Sequence, residues 1–321
     1  MARTAGLFGF FLVAMPSSAS IVADFSYLGS VQTFTVPVTG VYNILAYGAG
    51  GGTTADAIPD PIGGFGAEIA GDFQLTAGEV LNIYTGAQGP LVGYQGAGGG
   101  GGTFVVLTGA SPTLLIAAGG GGGSGENDDG GDASITTTAG SGTLGGGAGG
   151  SNGNGGSVDS SSSTGAGGGG AGYFTAGATP TGADSGAGGG TYPVFTGGAG
   201  YNSSDGGFGG AGGGGGNPVD ASVGGGGGGG GYSGGGGGGA AGGGGGGGAS
   251  YLDSSVLSNS DIIEISEGNF GNGSVTVTYL PGYPGTITAP VSAAPEPSTI
   301  ALLAFGCVGA FAYRRTFKFR S

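Results

Sequence analysis

Between residues 206 and 248 the chain is almost nothing but glycine. Uninterrupted tracts occupy 212–216, 224–231, 234–239 and 242–248, separated by little more than Asn217-Pro218-Val219-Asp220, Tyr232-Ser233 and Ala240-Ala241. Such a stretch specifies neither an ordinary helix nor a pleated sheet. Glycine loses the most backbone entropy on ordering and has no side chain to bury. Two states are open to it. One is a flexible linker. The other is a bundle of extended three-fold helices, rising about 3.1 Å per residue and hydrogen-bonded only to neighbours. Glycine alone lets such backbones approach closely enough to pair.

Glycine accounts for 93 of 321 residues, without the strict triplet spacing or the proline content of collagen. The formal net charge is −14, and no Lys or Arg occurs between Arg3 and Arg314. Histidine is absent altogether. A body this uniformly anionic is unsuited to nucleic acid, whose phosphates need cations from the protein. Solubility is the simplest reason for the charge, and metal ions or basic surfaces are conceivable partners. The sole cysteine, Cys307, lies in an apolar segment, so there is no disulfide framework and no Cys/His metal site.

Residues 1–19 read as a signal peptide. Arg3 precedes the apolar run 7–15, and Pro16-Ser17-Ser18-Ala19 offers a small-residue cleavage site, with Ala23 as a second choice. At the other end, Pro295-Glu296-Pro297 precedes an uncharged, mostly apolar run at 300–313 and then Arg314-Arg315. That run is short for a span of about 20 residues but can cross a membrane with its flanks, the arginines staying on the cytoplasmic side. In order and spacing, residues 295–321 resemble the PEP-CTERM sorting signal. The resemblance implies recognition by an exosortase, a membrane protease-transpeptidase. It also implies a transmembrane helix and delivery of the body to the cell surface or an exopolysaccharide matrix.

Between these ends, short alternating runs argue for an all-β protein. They lie at 32–37, 41–47, 67–75, 80–84, 103–107, 113–118, 261–265 and 273–280, with turn residues between them. Val80–Tyr84 is expected to fold back on 67–75 as a hairpin, and 103–107 to pair with 113–118. The pattern suggests an antiparallel sandwich whose last strands return after a long glycine insertion to close it. The divisions are then a first sandwich part at 20–118, the glycine-rich insertion at 119–250, closing strands at 251–281 and a linker at 282–294. Insertion between strands of one domain would hold the glycine segments together and lower the cost of pairing them.

Several short motifs follow one another in order. They are Phe34-Thr35-Val36-Pro37, Gly40-Val41-Tyr42, Tyr47-Gly48-Ala49, Leu75-Thr76-Ala77-Gly78-Glu79, Ala117-Ala118-Gly119, Gly231-Tyr232-Ser233 and Asn272-Gly273-Ser274. The series resembles the bacterial glycine-rich domain and is similar to the extracellular glycine-rich region of the anaplastic lymphoma kinase and leukocyte tyrosine kinase receptors. The resemblance implies a tumour-necrosis-factor-like β-sandwich carrying a bundle of polyglycine II helices. It brings no kinase activity, because the body has no lysine and no phosphate loop.

Candidate sites are few. Glu126, Asp128, Asp129 and Asp132 form the densest acidic stretch and could bind Ca²⁺, although they lack the spacing of an EF-hand; a solvated loop is the simpler reading. No glycine tract ends in Gly-Lys-Ser/Thr, and Ser-His-Asp catalysis is excluded by the missing histidine. Aromatic residues punctuate the glycine region. Among them, Tyr201, Phe208 and Tyr232 either cover the rim of a bundle and fix its register or form a binding surface for carbohydrate or another partner. The sequence therefore points to an exported structural or adhesive surface protein without catalysis. A binding module presenting a face of the bundle to glycan, cells or ice is the alternative.

Overall fold

The computed structural model describes residues 20–55, 61–160, 164–217, 224–257 and 262–283. In chain order the strands are β1 (Ser20–Ser26), β2 (Gln32–Thr35), β3 (Gly40–Tyr47), β4 (Thr53–Ala55), β5 (Gly66–Leu75), β6 (Val80–Tyr84), β7 (Leu91–Gly93), β8 (Thr103–Leu107), β9 (Thr113–Ala118), β10 (Tyr251–Leu252), β11 (Ile263–Asn269) and β12 (Ser274–Tyr279). The protein is all-β, and its two main sheets are antiparallel. One sheet runs β1-β12-β3-β5-β11 and the other β10-β9-β8-β6-β2. A small parallel pair, β4 with β7, stands apart from them.

The two sheets share one apolar core, and strand alternation explains its membership. Tyr42, Ile44 and Ala46 of β3 point inward, as do Ala67, Ile69, Phe73 and Leu75 of β5 and Val275 and Val277 of β12. They meet Leu81 and Ile83 of β6, Val105 of β8, and Ile116 and Ala118 of β9. A register shift opposite Leu115, where Val105 pairs with Ile116 and Val106 with Leu114, lets β9 keep Ile116 inward and Leu114 outward.

The pairing of β8 with β9 is as expected from the sequence. The hairpin between 67–75 and 80–84 is not: β5 pairs with β3 and β11, whereas β6 pairs with β2 and β8. The turn at Thr76–Glu79 carries the chain across from one sheet to the other. Glu79 fixes it, its carboxylate accepting the Thr76 N–H at 2.8 Å. The returning strands also divide differently from the expectation. β12 lies inside its sheet between β1 and β3, whereas β11 takes an edge of that sheet and β10 an edge of the other.

The insertion leaves and re-enters the sandwich at one place. β9 ends at Ala118, β10 begins at Tyr251, and Ala117 pairs with Tyr251. Over 119–250 the described residues contain one 3-10 turn, Tyr201–Ser203, and two isolated bridges, and otherwise no regular element. The expected polyglycine helices are accordingly not seen as elements. No helix among the described residues is long and apolar enough to cross a membrane, and the expected transmembrane helix lies outside them.

Candidate functional site

The glycine tracts are tied to one another by backbone hydrogen bonds, and the bonds follow a rule. Along 225–231, Gly225, Gly228 and Gly231 donate to Gly165, Gly168 and Ala171. Gly226 and Gly229 donate to Gly243 and Gly246, and Gly227 and Gly230 to Ala97 and Gly100. Every third residue thus addresses the same neighbour, and each neighbour advances by three in the same direction. The carbonyls obey the same period with opposite polarity. Those of Gly224, Gly227 and Gly230 accept from Glu126, Gly123 and Gly120; those of Gly225 and Gly228 from Gly215 and Gly212; those of Gly226 and Gly229 from Gly238 and Gly235. The 224–231 segment therefore has six neighbouring segments, three to which it donates and three from which it accepts. Most of these bonds measure 2.8–3.0 Å.

Only glycine fits this spacing. A Cβ on Gly227 would collide with the carbonyl of Gly212, and one on Gly226 with that of Gly123. The network also extends beyond the expected insertion. Residues 96–102 precede β8, yet Gly96, Gly99 and Gly102 donate to Gly215, Gly212 and Gly209. Ala49 and Gly52, from the connection after β3, accept from Gly121 and Ser124. The Gly48–Gly52 and Gly98–Gly102 tracts were the signal for this participation, and a reading that placed all structured glycine after Ala118 misses it.

Aromatic side chains join this region to the sandwich. Tyr84, Phe104, Val106, Leu114 and Ala117 form the outward face of the β6-β8-β9 strip, and Phe195 is buried against them. Tyr173, Tyr192, Phe208, Tyr232 and Tyr251 pack around the margin of this second core. Two of the three expected surface residues are thus half-buried packing residues: Phe208 lies 6.3 Å from the ring of Tyr27, and Tyr232 stacks on Tyr251 at 4.6 Å. Tyr201 is elsewhere. It sits in the 3-10 turn, held by Gln95, whose amide donates to the Tyr201 carbonyl at 3.2 Å, and its ring lies against Gly216. Phe208 and Tyr232 thus share the margin of the second core, and Tyr201 is not part of it.

The acidic stretch works as a clamp. Asp129 accepts the Ile62 N–H and Asp132 the Phe65 N–H, each at 2.8 Å, which pins the loop before β5. Asp128 accepts the Asp129 N–H at 3.1 Å, and Glu126 is buried. Among the described residues no three acidic, histidine or cysteine side chains converge as a metal site would require.

Burial raises the phenols in the aromatic margin. Tyr173 is pushed up to about 12, first by burial and then by Tyr192 and Tyr84. Tyr251 also reaches about 12, through burial and its hydrogen bond to Asp253. Pro295, Glu296, Pro297, Arg314 and Arg315 lie outside the described residues, as does the expected signal peptide. No protein-family model matches the chain, and the curated proteins include no similar sequence.

Proposed function

We propose that this is an exported glycine-rich protein of the cell surface or extracellular matrix, acting as a rigid structural or adhesive part rather than as a catalyst. In this reading the period-three, six-neighbour bonding of 224–231 is that of a polyglycine II helix inside a bundle, and that bonding pattern carries the proposal. Three-fold extended helices turn successive N–H groups outward at thirds of a turn, which is what a period of three requires. The bundle grows from a tumour-necrosis-factor-like sandwich whose paired β9 and β10 hold both of its ends.

Export rests on the sequence. Residues 1–19 direct secretion, and Pro295-Glu296-Pro297 with Arg314-Arg315 directs sorting by an exosortase. Such a body needs no cofactor. Its partners are the sorting machinery, the membrane through the terminal helix, and matrix polysaccharide. Fractionation of expressing cells tests this. The body is expected at the surface or in the matrix, and replacing Arg314 and Arg315 with Glu should hold it back. A body found in the cytoplasm with its first 19 residues intact, or a mutant sorted like the parent, would overturn the export reading.

A further inference from the structure

We propose that β12 is a closing strap: it enters the sandwich last, and until it does the body stays open along the middle of one sheet. The order β1-β12-β3-β5-β11 places the final strand between two of the first three. Among the described residues β1 pairs with β12 alone, and β3 has β12 as its partner on the side away from β5. Before Ser274–Tyr279 arrives, β1 therefore has no place in the sheet, and the core lacks Val275 and Val277, both fully buried. The β8-β9 hairpin closes over residues 108–112, whereas joining β3 to β12 closes over 48–273. Loop-closure entropy makes the second encounter rarer by on the order of 10²-fold.

The connection that delivers β12 is short and taut. β11 and β12 are consecutive in the chain, yet β5 and β3 lie between them in the sheet. Residues 270–273 must therefore cross three strand spacings, about 14 Å. From Asn269 to Ser274 the chain reaches about 17 Å at full extension. With β11 on the edge of β5, so little slack directs β12 into the slot between β1 and β3 of its own molecule.

The crossing is pinned where the glycine tracts meet the sandwich. Asn269 donates through Nδ2 to the carbonyls of Gly48 and Asn272 at 2.8 and 2.9 Å. The Gly50 N–H donates to the Gly271 carbonyl and the Gly273 N–H to the Gly86 carbonyl, both at 2.9 Å. Gln88 holds the crossing twice, its N–H donating to Asn272 Oδ1 at 2.8 Å and its Nε2 to the Phe270 carbonyl at 2.7 Å. These partners are themselves bonded to one another: the Gly50 carbonyl accepts the Gly89 N–H at 3.0 Å. The latch is thus complete only when residues 48–50 and 86–89 have already met. This folding order stands on the topology and does not depend on export. In an exported chain it would also keep the body open, as passage through a general secretory channel requires, until its last strand is made.

Pulse-labelled amide exchange during refolding of the full chain from denaturant, in a mild detergent, tests the proposal. The amides of β8 and β9 should gain protection first, and those of β1 and β12 together in the last phase. Asn269→Ala should slow that last phase about three- to tenfold, on the scale of one net hydrogen bond, and leave the β8-β9 phase unchanged. Should that variant not fold, Gln88→Ala, which removes the bond to the Phe270 carbonyl, is read in its place. Protection of β12 in the same phase as β8 and β9, or a last phase unaltered in the variant, would overturn the proposal. So would a last phase that quickens with protein concentration, because β12 would then be entering from a second copy of the chain.

Discussion

The ring of Phe104 lies flat on that of Phe195, with centroids 4.0 Å apart and planes within 10°. Phe104 belongs to β8 of the sandwich and Phe195 to the glycine region, and both are fully buried. Phe195 holds a backbone φ of +49°, a conformation that bulky residues rarely adopt. Packing against Phe104 offsets that cost, so this pair fixes where the glycine region docks. Phe195→Ala should destabilise the protein by about 3–5 kcal/mol. Thermal melting of each single variant and of the double Phe104→Ala/Phe195→Ala variant would show it. Strict additivity of the two effects would mean that the rings are not coupled.

The pH dependence of stability should show two limbs. For Asp253, burial alone would raise the pKa, but hydrogen bonds from Ser255 and Tyr251 outweigh it and hold the carboxyl below its usual value. A lowered folded-state pKa contributes stability above the unfolded value, and that contribution is lost as the pH falls through the folded one. Tyr173 and Tyr251 have the opposite sign. With folded values of about 12 against 10, their contribution is complete below pH 10 and disappears as the pH rises towards 12. Melting curves of Tyr173→Phe and Tyr251→Phe should therefore lose less stability than the parent between pH 10 and 12. An unchanged alkaline limb in both would contradict the assignment.

The acidic loop should behave as a clamp and not as a Ca²⁺ site. Asp132→Ala removes the acceptor for Phe65 N–H and should cost about 1–3 kcal/mol, with faster amide exchange at Phe65. Added Ca²⁺ should leave the melting temperature of the parent unchanged. A rise that saturates with Ca²⁺ and vanishes in Asp132→Ala would restore the metal reading.

Processing at the N-terminus can be placed by β1. This strand pairs Ser20–Ser26 with β12, and Ala23 and Phe25 pack on the core. Cleavage after Ala19 leaves it whole, whereas cleavage after Ala23 removes its first half. The mature mass should therefore begin at Ser20. Since no Lys or Arg lies between Arg3 and Arg314, trypsin leaves this body uncut for the measurement. A mass beginning at Asp24 would show that the first half of β1 is dispensable.

Much of the sandwich was legible because burial on one face imposes alternation. Ile44, Phe73, Leu81 and Val275 declare their strands in that way. Sheet membership was not legible. The turn at Thr76–Glu79 has the residues of a hairpin turn, and nothing local shows that β5 already has partners on both sides. β1 escaped notice because it follows closely on the apolar run at 7–15, and β4, β7 and β10 are only two or three residues long. In the glycine region the composition limited the possible conformations, but with no side chains it carried no register. Register is visible only where an aromatic such as Phe195 or Tyr232 meets the sandwich. The acidic stretch was visible as charge, but its partners Ile62 and Phe65 lie 67 residues away in sequence and meet it only through the fold.

The most direct test of the ordered glycine region is amide exchange over 224–231 in the parent protein and in Gly227→Val. Ordering each glycine costs about 1–2 kcal/mol or more, and each net hydrogen bond returns about 0.5–1.5 kcal/mol. The segment therefore depends on its neighbours all being in place. The amides of Gly225 to Gly230 should exchange slowly in the parent. Gly227→Val, whose side chain would strike the Gly212 carbonyl, should cost about 1–3 kcal/mol or more and speed exchange in the neighbouring tracts. Ala241→Val, at an exposed turn, should do neither. Fast exchange throughout 224–231 in the parent, together with unchanged melting of Gly227→Val, would contradict the bundle and leave a flexible spacer in its place.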